Sequence, residues 1–211
     1  MVAEIDAMYA ETRFETGLPA MSPRVRAAMA KVERHRLIRD SELGAAYRNH
    51  PLPIGHGQTI SQPYIVALST DLIAPQPHHS VLEIGTGTGY QAAVLAEVVQ
   101  RVYSVEILEP LALTARKNLQ ELKYQNVEIR VGDGYKGWPE KGPFDGIVVT
   151  AAAPSVPQAL VDQLKPGGRM VIPVGAAGGT QELVLVTKTP DGRVPQKNML
   201  GVRFVPLVPG K

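Results

Sequence analysis

The stretch Val81-Leu82-Glu83-Ile84-Gly85-Thr86-Gly87-Thr88-Gly89-Tyr90 decides how the rest of the chain is read. Its first four residues suit a buried strand, its alternating glycines suit a tight loop, and residues 91–99 carry helical spacing. That order brings free helix N–H groups and a close-approaching backbone to one point, where a ligand can sit. A dinucleotide fingerprint, G-x-G-x-x-G, would place its third glycine at position 90, where Tyr90 stands. The pattern here is G-x-G-x-G, and on its own it also suits a plain tight turn.

Working outward, short apolar strands are expected at 102–105, 127–131, 147–149 and 170–174, with a helix at 111–122. Strands alternating with helices imply a parallel sheet covered on both faces. The fold class is therefore α/β: a Rossmann-like, doubly wound and mostly parallel sheet. Residues 1–79 read as an N-terminal helical and loop extension. Within it, Ser22-Pro23 looks like a cap and first helical position, followed by Val25, Met29 and Val32 on one face. Residues 51–57 hold two prolines and two glycines and cannot be helical. A helix then opens at Ser61-Gln62-Pro63, with Ile65, Leu68 and Leu72 on one face and Ser61 as its N-cap. After residue 175, stretches 182–188 and 201–208 read as antiparallel strands joined by the turn Pro190-Asp191-Gly192. The whole is expected to be one domain, 1–211, with its ligand-binding core at 80–175.

Composition narrows the function. The 211 residues carry 22 basic and 20 acidic side chains, a net charge of +2, with no basic stripe for a nucleic-acid backbone. The absence of cysteine excludes disulfides, thiolate catalysis and iron–sulfur ligation. No apolar run approaches the ~20 residues that span a bilayer, and a cytoplasmic protein without a membrane or nucleic-acid partner is expected. His35, His50, His56, His78 and His79 show no ligand spacing, so no metal is expected. Trp138 reads as core or lid packing.

Further motifs lie at the expected strand ends. Glu106 closes the second strand, 21 positions after Gly85, where a carboxylate can accept from both hydroxyls of a ribose. Asp133, in Gly132-Asp133-Gly134, could accept from an adenine amino group or simply shape a turn. Thr150-Ala151-Ala152-Ala153-Pro154 follows the fourth strand and lacks the Asn or Asp, prolines and aromatic that orient weakly nucleophilic nitrogens. It suits an acceptor that is already ionised, such as a carboxylate. The G-x-G-x-G loop with Glu83 before it is the form found in S-adenosylmethionine-dependent methyltransferases.

Residues 51–64 (PLPIGHGQTISQPY), 81–90, 132–134, Trp138, 144–154, 164–175 (LKPGGRMVIPVG) and 202–208 (VRFVPLV) occur in this order. On these stretches the chain resembles the bacterial protein-L-isoaspartate O-methyltransferases over roughly residues 25–209. Two departures stand out: Leu37-Ile38-Arg39 replaces an aromatic followed by Val-Pro, and Asn49 lies where an acidic residue is common. The first twenty residues match nothing placed. The resemblance implies methyl transfer from S-adenosyl-L-methionine, giving S-adenosyl-L-homocysteine, to the free carboxylate of L-isoaspartyl residues in age-damaged proteins and peptides. It assigns the acceptor-side hydroxyl to Ser61. It assigns the cofactor to Thr59, Ile60, Glu83, Gly85, Thr86, Gly87, Gly89, Glu106, Asp133 and Gly134. The substrate falls to Ile54, Val205, Pro206 and Leu207, and a monomer is expected. Open alternatives are a methyltransferase of another carboxylate, a small molecule or RNA, a nicotinamide dehydrogenase, and an inactive binding domain.

Overall fold

The computed structural model describes residues 1–210. Seven strands form one sheet: β3 (Ser80–Ile84), β4 (Arg101–Glu106), β5 (Val127–Val131), β6 (Phe144–Val149), β7 (Leu164–Val174), β8 (Gln181–Thr187) and β9 (Gln196–Val202). Their order is β5-β4-β3-β6-β7-β8-β9, the first five parallel and the last two antiparallel. The winding reverses between β3 and β6, and open α/β sheets leave a crevice at the C-terminal strand ends there.

β3 and β6 are buried on both faces, as their near-continuous apolar runs require. β5 lies at an edge and mixes Glu128 and Arg130 with half-buried apolar residues. On one side of the sheet pack α3 (Pro23–Lys31), α4 (Pro63–Leu72), α5 (Tyr90–Ala96) and α6 (Glu109–Glu121). The other side holds Leu82, Ile84, Phe144 and Trp138 together with Leu160 of the short α7 (Gln158–Asp162). Trp138 meets Tyr103 edge-on at 5.7 Å, as a packing residue does.

Ser22 caps α3, its side chain accepting from Val25 N at 3.4 Å. The segment before it forms α1 (Val2–Glu11) and α2 (Arg13–Thr16). Ile5 and Tyr9 of α1 are fully buried. Burying Ile5 alone is worth ~1.5–3 kcal/mol, so α1 is docked rather than frayed. Tyr9 Oη donates to Asp71 at 2.7 Å, and Asp71 also accepts from Ser22 N at 3.1 Å. These bonds explain how α4 can be buried on every face, where the sequence pattern suggested one.

Residues 51–57 contribute to a two-stranded hairpin, β1 (Leu52–Gly55) and β2 (Gln58–Ile60), which pairs with no strand of the main sheet. Its turn residues His56 and Gly57 both have positive φ, 53° and 70°, the geometry that suits a two-residue hairpin loop.

The tail departs from expectation. The turn at 190–192 forms, but its second strand is Gln196–Val202 rather than 201–208. The polar Gln196, Lys197 and Asn198 hide an edge strand. The alternation at 202–208 instead serves a crossing over the strand ends. Ala152 N donates to Val205 O at 2.8 Å, and Leu207 N donates to Ala152 O at 2.7 Å.

Candidate functional site

Gly85 leaves β3 at φ 95°, and a Cβ there would lie 2.4 Å from Thr150 Oγ1. The Thr150 hydroxyl donates to Gly85 O at 2.6 Å and lies 3.0 Å from Ile84 O. A side chain at position 85 would therefore break the bond that ties the glycine loop to β6. Glu106, at the end of β4 and 6% exposed, holds the loop from the other side. Its Oε2 accepts from Gly87 N at 2.9 Å and its Oε1 from Leu108 N at 3.0 Å. A carboxylate has about four acceptor positions, so Glu106 keeps lone pairs for the cavity it lines.

That cavity, about 100 Å³, has walls from the glycine loop, the chain after β4, the hairpin and the tail. Gly85, Gly87, Glu106, Gly134 and Thr59, residues expected at the cofactor, line it. Ile54, Val205, Pro206 and Leu207, expected on the acceptor side, line it too. A smaller cavity of about 30 Å³ lies beside it, against Ile60, Ser61, Thr86 and Tyr90. A groove of about 580 Å³ runs along Met8, Thr12, Ser61, Tyr64, Phe204 and Val205. Thr59 and Thr150 line all three spaces, which therefore meet at one junction. Of the four substrate residues expected, only Val205 reaches the groove.

Ser61 is not the helix cap. The N-cap of α4 is Gln62, which makes no side-chain capping bond. Pro63 occupies the first helical position and holds the residue before it extended, which moves the start by one residue. The Ser61 side chain stands instead at the groove and the smaller cavity.

Three other expected residues lie away from the main cavity. Gly89 is the N-cap of α5. Asp133 caps the turn Gly134–Lys136 by accepting from Tyr135 N at 2.9 Å, and a Cβ added at Gly210 would lie 3.4 Å from its Oδ2. Glu83 is fully buried beneath the loop, bonded by Ser104 Oγ, which in turn lies 2.6 Å from Thr86 Oγ1. Gly89 and Glu83 support the loop from behind, whereas Asp133 shapes the turn that carries Gly134.

Burial pushes the Glu83 carboxyl from 4.5 up to about 8, against the opposing pull of the Ser104 bond. The unfolded chain releases this proton near 4.5 and the folded chain near 8. The folded state thus binds the extra proton between those values, and the stability it confers is lost as pH rises through that window. Glu83→Gln cannot ionise. Its melting temperature is expected to gain on the wild type from pH 5 to about pH 8 and then to level off; parallel melting curves across that range would contradict the assignment.

The sequence reading missed Met8, Thr12, Tyr64 and Phe204 as groove walls and Thr150 as a junction residue. Among the described residues no group of three or more His, Asp or Glu could hold a metal ion, and no helix is long and apolar enough to cross a membrane.

Known proteins share this arrangement. The profile described as protein-L-isoaspartate(D-aspartate) O-methyltransferase (PCMT) matches residues 13–211. A protein-L-isoaspartate O-methyltransferase 2 of Polaromonas sp. is 59% identical over 207 residues, covering 98% of each chain. A protein-L-isoaspartate O-methyltransferase 1 of Cupriavidus necator is 57% identical over 208 residues, covering 99% of this chain and 80% of its own. A solved protein-L-isoaspartate O-methyltransferase superposes with a TM-score of 0.84 at 30% identity; the match covers 98% of this chain and 65% of that longer one. A Plasmodium falciparum structure described as a putative member, in complex with S-adenosyl-L-homocysteine, gives 0.76 at 26% identity over 96% and 98% of the two chains. A reversed-order sheet, a glycine loop braced by Glu106 and Thr150, and relatives matched along almost the whole chain agree: the chain belongs to the protein-L-isoaspartate(D-aspartate) O-methyltransferase family.

Proposed function

We propose that the protein transfers a methyl group from S-adenosylmethionine to the free carboxylate of L-isoaspartyl residues in damaged proteins and peptides. The observation that carries the carboxylate is the groove itself. Among the described residues its walls include no His, Asp, Glu or Lys, and its one charged side chain is Arg203. No group there can take a proton from an acceptor, which suits one that arrives already ionised. A carboxylate does so at pH 7.

The cavity residues fit the cofactor in kind. Glu106 offers lone pairs to ribose hydroxyls, while Ile107, Leu108 and Leu111 offer an apolar surface to an adenine ring. Bound S-adenosylmethionine supplies a methyl group on a sulfonium that a carboxylate oxygen can attack in line. Thr59 and Thr150 stand where cofactor and acceptor meet, and Ser61 stands beside them to orient the carboxylate. Their contribution is alignment and exclusion of water rather than proton transfer. The ester is a better electrophile than the carboxylate. The next backbone amide nitrogen can attack it, expel methanol and close a succinimide, which water opens to return some normal aspartate.

Because Ser61 does not cap α4, Ser61→Ala is expected to cost less stability than the ~1 kcal/mol of a lost cap. Its turnover should fall ~10–100-fold. Melting curves and initial rates check both; unchanged turnover would remove Ser61 from the acceptor site. The function itself is tested by incubating the protein with methyl-labelled S-adenosylmethionine and an isoaspartyl peptide. Base-labile label on the peptide supports it, and an unlabelled peptide with a folded, cofactor-binding protein rejects it.

A further inference from the structure

Arg34 is fully buried and forms no ion pair with any described carboxylate. Its Nη2 donates to His50 O at 3.2 Å and to Ser61 O at 3.1 Å, while Nε and Nη1 have no partner. The guanidinium lies over the Tyr90 ring, 5.1 Å from its centroid. Burial lowers its pKa, and a buried cation without a carboxylate is costly. Stability is therefore not what this arginine supplies.

Its partners show what it does supply. His50 precedes β1 and Ser61 follows β2, so one nitrogen holds both ends of the hairpin. Tyr90 is the first residue of α5, directly after the glycine loop. The guanidinium thus ties the hairpin base to the helix that carries the cofactor loop. The tip of the hairpin reaches that loop as well: a Cβ at Gly87 would lie 3.3 Å from Ile54 Cδ1. The two cavities under the hairpin, about 100 and 30 Å³, are smaller than the ~300 Å³ at the low end for ligand sites. Something must move to admit a nucleoside, and the hairpin is a wall of the site that pairs with no strand of the main sheet and whose two ends meet at one point.

We propose that Arg34 is the hinge pin of this hairpin, a positioning residue that fixes both ends while the tip lifts and that returns Ser61 to one place over the glycine loop. The effect on catalysis rests on the function proposed above; the effect on the hairpin does not. Arg34 acts through the Ser61 backbone and need not touch either substrate.

Arg34→Met keeps the length and bulk of the side chain and removes the charge and donors. In hydrogen exchange on the cofactor-free protein, amides within 51–61 should exchange at least ~10-fold faster, while those of β3 and β4 keep wild-type rates. In Arg34→Lys the ammonium can still donate to the two carbonyls, so the hairpin should recover most of its protection. Turnover of an isoaspartyl peptide at saturating cofactor should fall ~10-fold in Arg34→Met and less in Arg34→Lys, with melting temperatures near wild type. Hairpin amides at wild-type rates, equal acceleration of every strand, or no rescue by lysine would overturn the hinge. If Arg34→Met does not fold, Arg34→Lys must show modestly faster hairpin exchange with an intact melting transition. Failure of both to fold makes Arg34 a residue of general stability and also overturns it. A wild type that does not methylate isoaspartyl peptide rejects the function alone, because the exchange result stands without it.

Discussion

Glu106→Ala is expected to weaken S-adenosylmethionine binding by ~1.5–3 kcal/mol, on the order of 10- to 150-fold in Kd. Two losses add. The ribose hydroxyls lose a charged acceptor, and the amides of Gly87 and Leu108 lose the carboxylate that accepts from both. The second loss loosens the glycine loop even before ligand arrives. Glu106→Gln separates the two, because its amide oxygen can still accept from one of these amides and its nitrogen cannot accept from the other. An intermediate affinity is expected for it. Calorimetric titration checks the series, and unchanged affinity in Glu106→Ala would remove this residue from the cofactor site.

The central strands were legible because burial on both faces forces near-continuous apolar runs, as in residues 81–84, interrupted only by Glu83, and 147–149. The glycine loop was legible because turn and close approach leave few residue choices. Residues whose role depends on a distant partner were harder. Ile5 and Tyr9 carry helical spacing, but nothing local shows that α1 docks on α4 and presents Met8 and Thr12 to a groove. Arg34 sits in Glu33-Arg34-His35-Arg36, a run that reads as solvated although the structure buries it completely. Glu83 reads as a ligand contact until Ser104, 21 positions away, is seen to hold it beneath the loop. The same limit applies to Ile54, Pro206 and Leu207. The resemblance puts them near the acceptor, and the structure sets them along the cavity that Glu106 lines, Pro206 and Leu207 through the pairing of the tail with Ala152 and Ile54 through the hairpin.

That placement bears on selectivity. An isoaspartyl residue and an aspartyl residue have the same charge and composition. They differ in that the isoaspartyl chain runs through the side-chain carbonyl and its free carboxylate lies one methylene nearer the backbone. Arg203 therefore attracts both alike, and discrimination must come from shape and main-chain fit. Ile54, Pro206 and Leu207 line the cavity beside Glu106, while the groove side of the Thr59–Thr150 junction is walled by Ser61, Phe204 and Val205. A displacement of about one methylene takes the carboxylate out of line with the methyl group, and misplacements of that size cost ~10²-fold.

The most direct measurement is therefore methyl transfer to two peptides that differ only in an isoaspartyl or an aspartyl linkage, compared by kcat/KM. The isoaspartyl peptide should be methylated at least ~100-fold more efficiently, a difference of ~2.7 kcal/mol in transition-state stabilisation. Comparable rates on the two, with ester formed on ordinary aspartate, would contradict recognition of the damaged linkage.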